Sequence, residues 1–464
     1  MNAIIVGVGA TGEVVAKSLI AKGYNVTLIE QDEEIARHVA SHLDCMVIND
    51  LGNKIQVLQQ AGISKADALI VVTESDELNL ITCGIAENLA PDLLKIARVR
   101  NKDYLDSFEI SSGDFLGIDK MVFPDEVVAN AIIRAIEHGA ISDIMDFESS
   151  KYEIARFTIH EESIFNGIQI SQIREHVDFP FVVVAVETDG ITHIPSGQSK
   201  LKSNSKISIL ALPEHIKTFY TLAGFHIRNI KKIAIIGMGR IGMMIADHFF
   251  HKQDTGFFKR FFRMQQNKNI IMVEKDETIA KECAKKYPDA LVYNTDIMND
   301  GFIEEARINE CDLVIAVTQN YELNMISSTL LKNIGVSKTI ALVQSPSMEI
   351  IANKIGIDIV ISYKGAVADA ILSHLSGKNV KSIHTVGDGT LEIIEISVTQ
   401  TSSIIGKPIQ DFSEHGVFLC LMFERNGNSV LPNGATEFEI GDRVLIICKT
   451  SESQRISKMI GGEK

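Results

Sequence analysis

The chain has 464 residues, of which 45% are hydrophobic and 23% are charged, proportions typical of globular proteins. This composition excludes a mainly disordered chain and provides enough apolar residues for several domains. The net charge of −15 disfavours nucleic-acid binding. No apolar run approaches the ~18–20 residues of a membrane-spanning helix. The chain begins with a strand-like run, Ile4-Ile5-Val6, without the basic region and cleavage site of a signal peptide. We therefore expect a soluble, cytoplasmic protein.

The six cysteines form no Cys-x-x-Cys pair. We expect them to be reduced thiols that act as small hydrophobic side chains. The histidines show no metal-ligand spacing such as His-Glu-x-x-His. No metal site is expected.

The first 125 residues alternate short apolar runs with amphipathic stretches. The predicted strands are 3–7, 25–29, 45–48, 68–72, 95–99 and 120–123, and the predicted helices are 12–22, 33–42, 53–61 and 76–89. Such strands, separated by helices, predict a parallel doubly wound sheet. A helix over roughly 126–138 follows, and then β-rich segments with turn signals, at 152–160, 181–187, 191–194 and 205–212. These predict a small α+β domain.

The chain then repeats this pattern from residue 229. Asp67–Thr73 is matched by Asp312–Thr318, and Glu77-Leu78-Asn79 by Glu322-Leu323-Asn324. The β-rich segments recur at 391–399, 417–424, 428–431 and 442–448. The fold class is thus α/β, with two tandem Rossmann-like domains that are each followed by a small α+β domain. The predicted domains are 1–125, 126–228, 229–363 and 364–464.

A glycine loop follows the first strand and opens the first helix. Gly7, Gly9 and Gly12 form a Gly-x-Gly-x-x-Gly motif, and Glu30 closes the next strand 18 residues later. The first glycine permits a tight turn, the second lets a pyrophosphate approach and the third packs helix against strand. Glu30 can accept hydrogen bonds from ribose hydroxyls and repel a 2′-phosphate, which favours NAD or an adenine nucleotide over NADP. The alternative is that the glycines serve only the turn.

The second half repeats the loop with one difference. Gly237, Gly239 and Gly242 recur, and Glu274 closes the next strand after an insertion. Arg240 replaces Ala10 of the first copy and could reach a terminal phosphate. The alternative is a solvated charge, which the helix dipole disfavours unless an anion is present.

Polar residues at the strand ends extend both candidate sites. Asp50 and Asp296 end the third strands. Each carboxylate could either contact a ligand or cap the N-terminus of the following helix. Thr73 and Thr318 end the fourth strands.

Arg98 and Arg100 lie in the fifth strand of the first half, where a buried guanidinium needs an anionic partner, either a nucleotide phosphate or an acidic loop. Leu342 and Gln344 stand at these positions in the second half. The two sites therefore cannot be chemically identical.

The insertion at 252–268 carries five basic residues and one acid. Phe257, Phe258, Phe261 and Phe262 share one helical face. This face could fold onto its own domain, or dock to a neighbouring subunit or a membrane partner.

These motifs, together with the strand Ile96-Ala97-Arg98-Val99-Arg100, resemble the TrkA family, which consists of tandem RCK (KTN) units. The resemblance covers essentially all 464 residues. It implies a non-enzymatic regulator that assembles into a ring on the cytoplasmic face of the membrane, where NAD(H), ADP or ATP changes its shape and gates a TrkH- or TrkG-like potassium channel or transporter. It also implies nucleotide contacts from both glycine loops and both Thr–Asn motifs. These residues include Ala10, Thr11, Ile241, Asn79 and Asn324, and the resemblance places Arg98 near the phosphates.

Two alternatives remain open. The same modules could regulate a different cation transporter or exchanger. An NAD-dependent oxidoreductase is disfavoured because His176, His215, His226 and His384 are isolated and have no counterparts in the other half.

Overall fold

The computed structural model describes residues 1–110, 115–137, 144–145, 150–224, 230–251, 269–375, 380–386 and 390–462. The insertion at 252–268, with its predicted basic and aromatic face, lies outside the described residues. Among the described residues, no helix combines the length and apolar character that crossing a membrane requires. All six cysteines are free, and five of them are buried.

The first half begins with a parallel sheet between helices. Its elements are β1 Asn2–Val6, α1 Ala10–Ala21, β2 Asn25–Glu30, α2 Glu33–His42, β3 Met46–Asn49, α3 Ile55–Gln60, β4 Ala68–Val71, α4 Asp76–Leu89, β5 Leu94–Arg98, α5 Lys102–Ile110, β6 Lys120–Val122 and α6 Pro124–Glu137. The strand order is β3-β2-β1-β4-β5-β6. This order reverses direction beside β1, where doubly wound sheets bind their ligands.

An antiparallel sheet follows in the first half. Its elements are β7 Ile144–Met145, β8 Glu153–Thr158, β9 Val182–Thr188, β10 Ile191–His193, β11 Lys206–Ala211 and α7 Pro213–Leu222. The strand order is β10-β9-β11-β8-β7.

The second half repeats both sheets. The parallel part comprises β12 Ile233–Ile236, α8 Arg240–His251, β13 Ile270–Glu274, α9 Glu277–Lys286, β14 Leu291–Asn294, α10 Phe302–Glu305, β15 Leu313–Ala316, α11 Tyr321–Asn333, β16 Lys338–Val343, α12 Pro346–Lys354, β17 Ile359–Ser362 and α13 Tyr363–His374. The antiparallel part comprises β18 Val380–Val386, β19 Leu391–Ser397, β20 Phe418–Arg425, β21 Asn428–Val430, β22 Arg443–Lys449 and α14 Ser453–Gly461. The strand orders are β14-β13-β12-β15-β16-β17 and β18-β19-β22-β20-β21, so the fold class is the predicted one.

The chain divides into two compact units by type of sheet. One unit comprises Met1–Ala140 and Asn229–Leu375, and the other comprises Ile141–Arg228 and Ser376–Lys464. The predicted boundaries after 125 and 363 assign almost all of α6 and of α13 to the α+β domains. In the structure both helices belong to the unit of the parallel sheets, because their apolar faces are buried there.

Within this unit, the two halves exchange helices. Helix α13 of the second half packs on α1, and helix α6 of the first half packs on α8. Both helix pairs bury their apolar residues in one continuous core. Each glycine-loop helix is therefore covered by the last helix of the other half's parallel part, and the first residues of α6 and α13 lie beside the opposite glycine loop.

Most predicted strands match the observed ones to within two residues at either end, but β7 and β18 were not predicted. The turn at Asn204-Ser205 has a positive φ at its first residue, as does the corresponding turn at Gly441-Asp442 in the second half. Asn204 adopts a φ of 64° and Gly441 a φ of 94°. Asparagine is one of the residues that tolerate this left-handed conformation.

Candidate functional site

The backbone conformation and close packing of each loop require its first and third residues to be glycine. Gly7 has a φ of +89°, and a Cβ placed there would lie 2.8 Å from the Thr73 nitrogen. A Cβ on Gly12 would lie 2.1 Å from the Gly7 oxygen. Gly237 and Gly242 repeat both restrictions, with the same 2.1 Å clash. These four glycines thus keep the chain tightly turned between strand and helix.

The second glycine of each loop is different. A Cβ on Gly9 or Gly239 would meet no atom within 4 Å. Gly9 has a φ of −62° and a ψ of −174°, which any L-residue can adopt. Neither backbone strain nor packing therefore requires a glycine here. A bound group that approaches the backbone closely would require one, as in dinucleotide-binding loops.

The two strand-end glutamates hold the loops in place. The Glu30 carboxylate accepts hydrogen bonds from the Val8 nitrogen at 2.7 Å and the Asp32 nitrogen at 3.0 Å. Glu274 accepts the equivalent bonds at 2.7 and 2.9 Å. Each carboxylate oxygen retains a second acceptor position. The predicted ribose contact is compatible with this geometry, but loop support is an additional role.

A cavity of about 720 Å³ opens beside the first glycine loop, within the size range of small-molecule sites. From the first half it is lined by Val6, Gly7, Gly9, Thr11, Ile29, Glu30, Gln31, Asp32, Ile35, Asp50, Leu51, Gly52, Val72, Thr73, Glu74, Ser75, Leu78, Arg98 and Arg100. From the second half it is lined by Tyr321, Gln344, Tyr363 and Lys364. The helix exchange brings the last two residues here, at the start of α13.

Arg98 is a buried cation at this cavity. Its side chain is 7% exposed, and among the described residues Nε and Nη2 have no hydrogen-bond partner. Burial lowers the pKa of Arg98, and the neighbouring charge of Arg100 lowers it further. An arginine nevertheless remains charged. Buried polar groups normally have hydrogen-bond partners. The Nε and Nη2 donors of Arg98 can therefore bind an anion.

The side-chain amide of Asn79 holds the backbone of Arg98 in place. Its Oδ1 accepts hydrogen bonds from the nitrogen and the hydroxyl of Thr73 at 3.0 and 2.6 Å. Its Nδ2 donates to the Thr73 and Arg98 carbonyls at 3.1 and 2.8 Å. Asn324 makes the equivalent bonds to Thr318 and Leu342.

Both asparagines are fully buried, and these bonds use all their polar positions. The predicted role in nucleotide contact therefore does not fit Asn79 or Asn324. They join the ends of neighbouring strands.

The two strand-end aspartates do not cap the following helices. Asp50 Oδ1 accepts from the Leu51 nitrogen at 2.7 Å and pairs with Lys54, and helix α3 begins later with Lys54 at its N-cap. Asp296 accepts from the Met298 nitrogen at 2.9 Å. Asp50 lines the cavity, where its ligand role stays a prediction.

Arg240 has a partner that the sequence did not indicate. Its Nε lies 2.9 Å from Asp125 Oδ2, although its side chain is 61% exposed. Asp125 begins α6 of the other half, and its Oδ1 accepts a hydrogen bond from the Tyr363 hydroxyl at 3.0 Å. Burial and the charge of Asp125 raise the pKa of Tyr363, which therefore stays a neutral donor. Asp125 thus links the second glycine loop to the lining of the first cavity.

The remaining predicted residues lie at the start of the two glycine-loop helices, and their nucleotide contacts stay predictions. Ala10 and Arg240 begin the two glycine-loop helices, Thr11 lines the cavity and Ile241 packs against the core.

The cavity residues that the sequence analysis missed are of two kinds. Asp32 follows the strand-end glutamate by two residues, and Asp276 repeats this spacing in the second half. The repeated Glu-x-Asp could have identified Asp32 as a cavity residue. Tyr321 and Tyr363 come from the other half, and no local pattern signals such a contribution.

Comparisons with known proteins agree with this architecture. The TrkA-N domain family matches residues 3–124 and 233–363, and the TrkA-C domain family matches residues 393–461. "Trk system potassium uptake protein TrkA homolog 1" of Methanosarcina mazei is 28% identical over 464 residues, 99% of each chain. The protein TrkA of Halomonas elongata, with the same "Trk system potassium uptake protein" description, is 25% identical over 96% of this chain and 95% of its own.

Two solved structures share the fold. The GsuK RCK domain has a TM-score of 0.58 at 15% identity and covers 100% of this chain and 95% of its own. The GsuK channel bound to NAD has a TM-score of 0.58 at 14% identity and covers 100% of this chain and 79% of its own.

Asn79→Ala should destabilise the protein by roughly 2–4 kcal/mol, because it leaves buried backbone groups of Thr73 and Arg98 without partners. Asn88→Ala, on the exposed side of the same helix, should change the free energy of unfolding by less than about 0.5 kcal/mol. Urea denaturation of both variants measures the difference. Equal stability of Asn79→Ala and the wild type would contradict the role of Asn79 as a buried strand connector.

Proposed function

Since the chain belongs to the TrkA family, we propose that it is the nucleotide-binding regulatory subunit of a potassium uptake system and binds NAD(H), ADP or ATP in the first cavity. The observation that carries this proposal is the buried, unpartnered guanidinium of Arg98 beside a glycine loop with open space at Gly9. The similar proteins support both the transported ion and the ligand, because the relatives are named for potassium uptake and one GsuK channel is bound to NAD.

The charges of the cavity suggest how the nucleotide lies. The end near β2 and β3 is acidic, with Glu30, Asp32 and Asp50, whereas the end near β5 is basic, with Arg98 and Arg100. Ribose hydroxyls donate hydrogen bonds to carboxylates, and phosphates accept them from guanidinium groups. We therefore place a ribose at the acidic end and the phosphates between the glycine loop and Arg98.

The second glycine loop offers a different site. Leu342 replaces Arg98 there, and Arg240 is engaged by Asp125. A phosphate at this loop must compete with Asp125 for Arg240. The two loops should therefore differ in their order of affinity for diphosphate, triphosphate and dinucleotide. A ligand at the second loop should also alter the hydrogen bond from the Tyr363 hydroxyl to Asp125 at the first cavity.

Exposed apolar side chains favour self-association, as expected for an RCK ring. Helices α11 and α12 and the residues after them expose Ile326, Leu330, Ile334, Ile350, Ile351 and Ile355, each by at least 36%. Clustered apolar exposure of this kind marks interaction surfaces. We propose that this ring sits on the cytoplasmic face of the membrane and acts on an integral-membrane potassium channel or transporter.

Calorimetry on the purified protein should detect NAD(H) or ADP/ATP binding and no comparable NADP(H) binding, because Glu30 would repel the 2′-phosphate. Gly9→Ala should abolish binding at the first site and lower the free energy of unfolding by no more than about 1 kcal/mol. Its Cβ meets no protein atom, and only the weak preference of the N-cap position for glycine over alanine is lost. Gly12→Ala is the contrasting control and should destabilise the fold, because its Cβ would clash with the Gly7 oxygen. NADP binding as tight as NAD, or unaltered binding in Gly9→Ala, would contradict the proposed pose.

Arg98→Met should have opposite effects on stability and on function. Without ligand, the variant should melt at a higher temperature, because a buried unpaired cation costs free energy that methionine does not. Its nucleotide affinity should fall by roughly 10- to 100-fold, the equivalent of one charge-assisted bond of about 1.5–3 kcal/mol. Thermal melting and calorimetry measure the two effects.

The same variant tests the regulatory role. Potassium uptake should be measured in cells that lack their own Trk regulatory subunit and carry either the wild type or Arg98→Met, together with a compatible transporter. The wild type should restore nucleotide-dependent uptake, and Arg98→Met should lose the difference between ATP and ADP. Uptake that ignores the wild-type protein would refute the regulatory function, while nucleotide binding could still hold.

Asp125→Asn should tighten nucleotide binding at the second loop by up to about fivefold. Arg240 is mostly exposed to water, so its ion pair with the buried Asp125 contributes about 0–1 kcal/mol. Arg240→Ala should weaken binding there, and the double variant should behave like Arg240→Ala. Tyr363→Phe removes only the hydroxyl that donates to Asp125. It therefore measures the effect of this hydrogen bond on binding at the first cavity separately from the effect of Asp125 on Arg240. Additive effects of the two substitutions in calorimetry would contradict competition for Arg240.

A further inference from the structure

A group of side chains outside the cavity has the composition of a transition-metal site. Glu13 lies in the first turn of α1, whereas His38 and His42 lie one turn apart on α2. Each offers one ligand atom, and these atoms all lie within 4.8 Å of one another. Imidazole and carboxylate are ligands that Zn²⁺ prefers. No metal site was expected because the histidines lack a His-Glu-x-x-His spacing, and the third residue here, Glu13, comes from a different helix.

The hydrogen bonds of His42 orient it as a ligand. Its Nδ1 lies 2.7 Å from the His38 carbonyl oxygen, and since a carbonyl only accepts, Nδ1 carries the proton. Metal-bound histidines are commonly fixed in this way, by donation from the other ring nitrogen to a backbone carbonyl. Nε2 is then the free ligand atom in the neutral imidazole.

Nε2 faces the carboxylate of Glu13. It lies 3.1 Å from Glu13 Oε1, and with the proton on Nδ1 the two atoms present lone pairs to each other. Such an arrangement needs a positive charge between them, either a second imidazole proton or a metal ion. Lys17 Nζ also lies 2.6 Å from Glu13 Oε1, and a glutamate side chain is ordinarily ionised near neutral pH.

We propose that Glu13, His38 and His42 form a binding site for a divalent transition-metal ion of the Zn²⁺ type, with water completing the coordination. Three nitrogen and oxygen ligands plus water is an established zinc arrangement. Lys17, which lies 2.6 Å from Glu13 Oε1, is half-exposed and can swing into solvent when the metal arrives. The bound ion would tie α1 to α2, the helices that follow β1 and β2. This proposal is independent of nucleotide binding.

Zinc titration of the chelator-treated full-length protein by calorimetry near pH 7.5 tests the proposal. We expect one Zn²⁺ per chain. His38→Ala, His42→Ala and Glu13→Gln should each weaken binding by at least about 10- to 100-fold, the loss seen even when outer-shell partners of a metal site are removed. His176→Ala, at an exposed position elsewhere, should bind like the wild type. Unchanged stoichiometry and affinity in all three ligand variants would overturn the proposal.

Two further measurements distinguish this site from other positions at which the protein could bind zinc. Lys17→Met should bind Zn²⁺ more tightly, because it removes a competing cation from Glu13; equal or weaker binding would contradict the role of Glu13. Co²⁺ substituted into the wild type should give d–d absorption of a nitrogen and oxygen site without a thiolate charge-transfer band. A strong thiolate band would place the metal on a cysteine and overturn the assignment.

Discussion

The arrangement of the candidate sites depends on the reciprocal packing of α6 on α8 and α13 on α1. Each glycine-loop helix needs an apolar cover, and each half supplies the cover for the other half. The exchange buries α6 and α13 in one continuous core, so the two parallel sheets form a single compact unit. Because a helix begins where its strand ends, the exchange also carries Tyr363 and Lys364 to the first cavity and Asp125 to the second loop. Site architecture and core packing therefore share one cause.

The same arrangement makes the two sites unequal. At the first cavity, the protein leaves the guanidinium of Arg98 buried and without partners at two nitrogens, which costs stability unless an anion binds. At the second loop, the cation Arg240 is exposed and already paired. In the proposed function, the first site uses ligand binding to relieve a buried charge, whereas the second exchanges one partner for another. Since Asp125 contacts both Arg240 and Tyr363, a ligand at one loop can alter the other through a short chain of contacts.

Sequence reasoning recovered the features that depend on local patterns. The strands and helices, the duplicated glycine loops and the burial of Arg98 in an apolar strand all follow from residues close together in the chain. The structure adds what depends on tertiary packing. Asn79 looked like a ligand residue because it repeats with Thr73, yet its buried amide joins two strands. Arg240 looked free for phosphate because Asp125 lies 115 residues earlier. Strand β18 was missed because Lys381-Ser382 interrupts its apolar pattern.

The central claim is that the first cavity is a nucleotide site built by both halves. Hydrogen–deuterium exchange of the full-length protein, with and without saturating NAD, tests it directly because each amide reports on its own segment. The account predicts slower exchange in two separate segments, the glycine loop from Gly7 to Gly12 and the first turn of α13 that begins at Tyr363. Slower exchange in the glycine loop alone, with α13 unchanged, would contradict the claim that the second half completes the site.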